Sequence, residues 1–206
     1  EENLFKATDA LRRRDYIVSK QIIQADKWIN AQQIELITES LSLISTQAPM
    51  ATDLRFIAAV IEIVGELERI HDYAKGIGKI NLLIDETAVI QPLISPLTPM
   101  AEKTAEMLHR SLDVFITPYV TQAQALAQED EVVDTLYNQL YESLMDHARQ
   151  HPEDVVLTNR ILWAGHNLER SADRVLNICE WVIYLETGIY AELDDQMLEE
   201  AANSQS

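Results

Sequence analysis

Glycine, proline and aromatic residues are scarce and cysteine is nearly absent: 5 Gly, 6 Pro, 6% aromatics and 1 Cys in 206 residues. So few turn formers and ring side chains leave strand-rich architectures poorly supported, and helix is the default. A lone cysteine, Cys179, cannot build an internal disulfide framework, and a reducing compartment is the simplest reading. Positive charge is short as well, with 16 Lys and Arg against 34 Asp and Glu and a formal charge of −18. That field repels nucleic acid and anionic lipid alike, and it favours cations and basic protein surfaces as partners. No long apolar run exists. The longest, Phe56 to Ile61, is far too short to cross a bilayer, and no basic segment followed by an apolar stretch opens the chain. A soluble, cytoplasmic protein with no direct membrane insertion is expected. The chain opens at Glu1 without a methionine, so either a missing part of the first helix or a tag remnant is expected at that end.

What is present is 47% hydrophobic residues at three- and four-residue spacing, enough for a folded body of one or two domains. Pro49, Pro92, Pro96, Pro99, Pro118 and Pro152 each precede such a stretch and mark helix starts. Asp15 is placed to cap a second helix and Gly188 to close the last. Six helices follow, over about 1–14, 15–47, 52–85, 97–117, 118–149 and 152–187. The proline-rich segment 91–99 reads as a linker between a first three-helix unit, 1–90, and a second, 100–190, followed by an acidic tail, 191–206. The halves superimpose when Glu68 is laid on Glu169: Leu67, Glu68, Arg69 and Asp72 then match Leu168, Glu169, Arg170 and Asp173. An all-α fold of two tandem three-helix bundles, six long helices related by an internal repeat, is the economical description.

Acidic residues four apart lie about 6 Å apart on one helix face, close enough to share an ion. Such pairs also arise by chance, roughly five or six in a chain this acidic. Glu35 with Glu39 and Glu62 with Glu66 read as background of that kind. Angular position separates the others. Glu68 and Asp72 continue the stripe of Leu54 and Ile61, and Asp26 and Asn30 that of Ile37, Leu41 and Ile44. Asp130 and Asp134 share a sector with Tyr137 and Tyr141, and Glu169 and Asp173 follow Val155 and Leu162. Four pairs therefore point towards neighbouring helices. Facing carboxylates repel unless protonated or neutralised. Two readings stay open on these residues: hard cations such as iron, manganese, magnesium or calcium, with zinc also accepted, or ion pairing with Arg69, Arg170 or nearby lysines.

The run Ala51-Thr-Asp-Leu-Arg55 leading to Leu67-Glu-Arg-Ile-His-Asp72, then His151-Pro-Glu-Asp154 leading to Asn167-Leu-Glu-Arg-Ser-Ala-Asp173, closes with Val182-Ile-Tyr-Leu-Glu-Thr-Gly188. It resembles the PhoU family over nearly the whole chain, including the two-repeat plan. The resemblance implies a cytoplasmic, non-enzymatic adaptor, commonly a homodimer. Such an adaptor regulates phosphate uptake and negatively regulates phosphate-starvation signalling, linking the ATPase subunit of a phosphate ABC transporter to a sensor histidine kinase. It also implies a multinuclear metal cluster, iron first, up to one per repeat. Its ligands would be Asp26, Asn30, Glu68 and Asp72 in the first half and Asp130, Asp134, Glu169 and Asp173 in the second.

This chain departs from the family pattern at Asn30, which stands where an acid is expected, so the second site is expected to hold metal more firmly. His71 is read as a plain substitution or an extra ligand. Two alternatives remain. Glu68-x-x-His71 and Glu106-x-x-His109 have the spacing of ferritin-like di-iron carboxylate proteins, and a metal-free acidic helical scaffold binding basic partner helices fits the charge.

Overall fold

Helix boundaries follow the sequence punctuation closely. In the computed structural model, which describes residues 1–190 and Leu193, seven α-helices succeed one another. They are α1 (Glu2–Arg13), α2 (Tyr16–Gln47), α3 (Thr52–Leu83), α4 (Leu97–Ile116), α5 (Val120–Ala127), α6 (Asp130–Gln150) and α7 (Val155–Thr187), with a short 3-10 turn at Pro152–Asp154. Asp15 caps α2 as expected: its carboxylate accepts from the backbone N–H groups of Ile17 at 2.9 Å and Val18 at 3.0 Å. Gly188 closes α7 at φ 74°, in the left-handed region that favours glycine. The acidic tail expected at 191–206 lies outside the described residues, Leu193 excepted.

One predicted helix is two. The stretch 118–149 breaks after Ala127, and Glu129 at the break is clamped onto α4 by Lys103 at 2.5 Å and Arg110 at 2.8 Å. The chain tightens there, with Glu129 N–H bonded to the carbonyl only three residues back. Asp130 thus opens α6 instead of lying inside a longer helix, where the positive end of the helix dipole favours its charge.

Helices α1 and α2 pack on α3, and α4, α5 and α6 pack on α7. The two bundles meet chiefly through α3 and α7, which run antiparallel along their whole length. Arg55 donates to the Leu185 carbonyl, Glu66 pairs with Arg174, Gly76 approaches Asn167, and Arg160 donates to the Leu83 carbonyl. Each helix turns a seven-residue stripe inward, Ile63, Ile70 and Ile77 on α3 and Ile161, Leu168, Val175 and Val182 on α7. A seven-residue apolar repeat is what lets two long helices stay in contact.

The turn between α1 and α2 is anchored to the far end of α3. Asn81, fully buried, donates to the Ala10 and Asp15 carbonyls and to the Ser19 hydroxyl. Arg14, at φ 59°, spends its guanidinium on the Asn81 side-chain oxygen and on the carbonyls of Ile84 and Asp85, closing the orphan end of α3.

Candidate metal centre

Antiparallel pairing of α2 with α3 brings Asp26 to Asp72, and between them stands a lysine. Lys75 Nζ lies 2.6 Å from Asp26 Oδ1 and 2.5 Å from Asp72 Oδ1, with its side chain only 18% exposed. The Lys75 hydrogen bond holds the Asp26 carboxyl below the usual range. Burial alone would lower the Lys75 ammonium, yet its bonds to both aspartates raise it. Glu68, one turn before Asp72, is pushed upward by burial and by the charges of Asp72 and Asp26. Asn30, one turn beyond Asp26, has its side-chain oxygen buried with no hydrogen-bond partner.

His71, beside Asp72 on α3, packs towards α1 and still feels the charges of Asp26, Lys75 and Asp72. It is buried, its Nδ1 lies 3.4 Å from the Asn3 amide nitrogen, and burial lowers its pKa, so the ring is neutral and packed under α1. With Nδ1 accepting from Asn3, the ring's Nε2 is buried with no hydrogen-bond partner. Glu106 and His109 are also engaged apart from Glu68: Arg110 and Lys103 pair with Glu106, and His109 is 63% exposed beside Glu1 and Asp113.

In the second half the four acids come from the first two turns of α6 and the middle of α7. Glu169 is strongly perturbed: burial, then the charges of Asp173 and Asp134, push it to about 7. Its Oε2 lies 3.2 Å from His166 Nδ1. Arg170 stands 3.0 Å from Asp173 and also reaches the Tyr73 hydroxyl on α3. Arg174 is drawn away to Glu66. Asp134 differs from the inward placement expected for it: it is exposed on α6, although its charge still acts on Glu169.

Among the described residues, no three His, Cys, Asp or Glu side chains are gathered closely enough to hold a metal ion as they stand. The halves nevertheless differ in what a cation would meet. The first already has a cation, hydrogen-bonded to two of its three acids. In the second, a half-buried carboxyl is kept from ionising normally by its burial and then by the charges of Asp173 and Asp134, which together outweigh the pull of Arg170 and Arg174. That donor set, oxygen only, fits a hard divalent ion.

Glu35, Glu39 and Glu62 are exposed at the surface, as chance pairs should be. Glu66 is not: it is 6% exposed and receives both Arg69 at 3.2 Å and Arg174 at 3.5 Å, tying α3 to α7. Position four from Glu62 concealed this role, because the partner lies 108 residues away. Lys75 was legible in principle, since three residues after Asp72 is the same face of α3.

The PhoU domain model matches residues 1–80 and 97–182. The phosphate-specific transport system accessory protein PhoU homologue of Zymomonas mobilis is 33% identical over 186 residues, covering 90% of this chain and 78% of that protein. The homologue of Clostridium acetobutylicum is 31% identical over 95% of this chain and 89% of its own length. The crystal structure of the phosphate transport system regulatory protein PhoU from Streptococcus pneumoniae superimposes with a TM-score of 0.85 at 29% identity, covering 92% of this chain and 89% of that one. PhoU from Pseudomonas aeruginosa gives 0.86 at 27% identity over 91% and 90%.

Proposed function

This chain belongs to the PhoU family, and from that premise we propose that it is a regulatory accessory protein of a phosphate-specific transport system. The observation that carries the reading is the paired match: the family model takes in both halves, over residues 1–80 and 97–182, and the joined architecture superimposes on PhoU structures over nine-tenths of the chain. In this reading the protein is a cytoplasmic adaptor, homodimeric, without chemistry of its own. It couples the transporter's ATPase subunit to a sensor histidine kinase and restrains the starvation response when phosphate is ample. Two features support an adaptor over an enzyme. Cys179 is 1% exposed and burial pushes its thiol up to about 12, which denies it a nucleophilic role. A charge of −18 suits docking to basic protein surfaces.

The metal-binding part of the reading is assigned to the second half. Asp130, Asp134, Glu169 and Asp173 would hold one or more hard cations, iron or manganese foremost. A bound cation would supply positive charge where α6 and α7 face each other. With that charge beside it, Glu169 would stay ionised near neutral pH.

Affinity capture from phosphate-replete cells, followed by mass spectrometry, tests the adaptor role. Recovery of a phosphate-transporter ATPase and a histidine kinase is expected, and recovery of neither overturns it. Elemental analysis of protein purified without chelator tests the metal. The parent should carry iron or manganese that Glu169→Ala/Asp173→Ala loses, and a parent with none sinks the second-half site.

A further inference from the structure

The two halves answer the same electrostatic problem with different cations. We infer that the ammonium of Lys75 is the built-in cation of the first acidic cluster, standing between Asp26 and Asp72 where a metal ion would otherwise bridge α2 and α3. The inference rests on reading the paired carboxylates as cation sites and goes beyond it, because it assigns one of the two sites to a side chain.

The geometry is that of a bridge: one nitrogen, two carboxylates from two helices, 2.6 and 2.5 Å, in a half-buried position. Lysine is suited to such a place as a compact point charge on a flexible stem, with three donors to distribute. The equivalent position in the second half, 101 residues on by the same superposition that lays Glu68 on Glu169, is Leu176, which is buried and apolar. That position carries no charge. The nearby Arg174 is committed to Glu66 across the α3–α7 contact.

Asn30 and Lys75 act in the same direction. Compared with Asp134 and Leu176 at the matching positions, the amide removes one negative charge and the lysine adds one positive charge, so the first cluster is less negative by two. A divalent ion entering beside a fixed ammonium meets direct repulsion across a half-buried site. The fit is incomplete, and informatively so: Lys75 reaches two acids only, leaving the Asn30 oxygen unpaired and the Glu68 carboxyl raised. Removing the ammonium therefore exposes Asp26, Glu68, Asp72 and the Asn30 oxygen, an oxygen donor set of the kind a hard cation takes.

The test uses chelator-stripped full-length chain, Mn²⁺ alone as the probe, and equilibrium dialysis with elemental analysis. With the second half disabled by Glu169→Ala/Asp173→Ala, no Mn²⁺ above background is expected while Lys75 is present. Adding Lys75→Met should create at least one Mn²⁺ equivalent per chain, and Asp26→Asn should abolish it again. Mn²⁺ bound by Glu169→Ala/Asp173→Ala with Lys75 intact, and lost on Asp26→Asn/Asp72→Asn, overturns the proposal. So does a folded Lys75→Met chain that gains none. Failure of the second-half reading is separate, since it shows as a parent chain whose Glu169→Ala/Asp173→Ala variant changes nothing.

A measurement on the unmodified protein covers the case in which Lys75→Met does not fold. Acetylation by an N-hydroxysuccinimide ester, followed by peptide mass spectrometry, should modify Lys75 at least tenfold more slowly than the exposed Lys20 and Lys79, with no change in millimolar Mn²⁺. Equal rates, or acceleration by Mn²⁺, show an ammonium that is free or displaced and overturn the proposal.

Discussion

At the scale of single residues, this chain is governed by where a charge finds its partner. Glu169 would gain from a cation, its carboxyl pushed to about 7 by burial and by Asp173 and Asp134. A carboxyl that ionises freely in the unfolded chain but is resisted in the folded one costs stability wherever both are ionised. In chelator at pH 8, Glu169→Gln is therefore expected to stabilise the protein by about 1–2 kcal/mol in urea unfolding. An unchanged midpoint would mean that His166 and Arg170 already neutralise it. Much of this was legible from the helical wheel, which placed Glu68, Asp72, Glu169 and Asp173 on inward faces. The wheel cannot report which cation arrives, because Lys75 meets Asp26 only once α2 and α3 are paired. Nor did it show that Asp134 stays exposed, a matter of how α6 is turned against α7.

At the scale of elements, the helices are set by caps and close approaches, and single substitutions should separate these. Gly65 lies inside α3 with nothing within 4 Å of where a Cβ would stand, whereas a Cβ on Gly165 would come 2.3 Å from a Leu140 side-chain carbon at the α6–α7 contact. Gly65→Ala is expected to raise stability by up to about 1 kcal/mol through helix propensity. Gly165→Ala should lower it by about 1–3 kcal/mol through overpacking. Thermal or urea denaturation reads both, and equal effects would mean the two sites are packed alike.

The break between α5 and α6 carries a pH signature. Burial would raise the Glu129 carboxyl, but the hydrogen bonds and charges of Arg110 and Lys103 outweigh it, and its pKa is lowered. A lowered carboxylate contributes stability that is present above the unfolded pKa and lost as pH falls through the folded one. Glu129→Gln should cost about 1 kcal/mol at pH 7. The difference should shrink towards zero as the pH is taken below about 4, with denaturant midpoints across the pH range as the measurement. Sequence reading placed Pro49, Pro96, Pro118 and Pro152 at the starts of α3, α4, α5 and α7 and Asp15 at that of α2, while Pro92 precedes no helix directly and Pro99 lies within α4. It missed this break because no proline or glycine marks it, and the clamp comes from α4.

At the scale of the whole molecule, the shared spine of α3 and α7 is what turns two repeats into one body. Doubling of the Leu-Glu-Arg-x-x-Asp signature announced the repeat, and alternation of apolar stripes with prolines announced the helices. How the halves join was not written in either copy, because Glu66 and Arg174 break the repeat: their equivalents are Asn167 and Tyr73. Arg174→Met strands Glu66, 6% exposed, with Arg69 alone. A loss of about 2–3 kcal/mol is expected, at or below the bottom of the range for a broken buried pair, because Arg69 stays and the Arg174 separation is 3.5 Å. If the halves then melt separately in calorimetry, the spine is what couples them; one unchanged transition would place the coupling elsewhere.

That spine also sets an order of events during synthesis. Glu66 leaves the ribosome 108 residues ahead of Arg174, an interval of roughly 5–20 s at ordinary elongation speeds. Through that interval the side of α3 that will meet α7 has no mate, and the nascent first half must wait with it uncovered until the last long helix emerges.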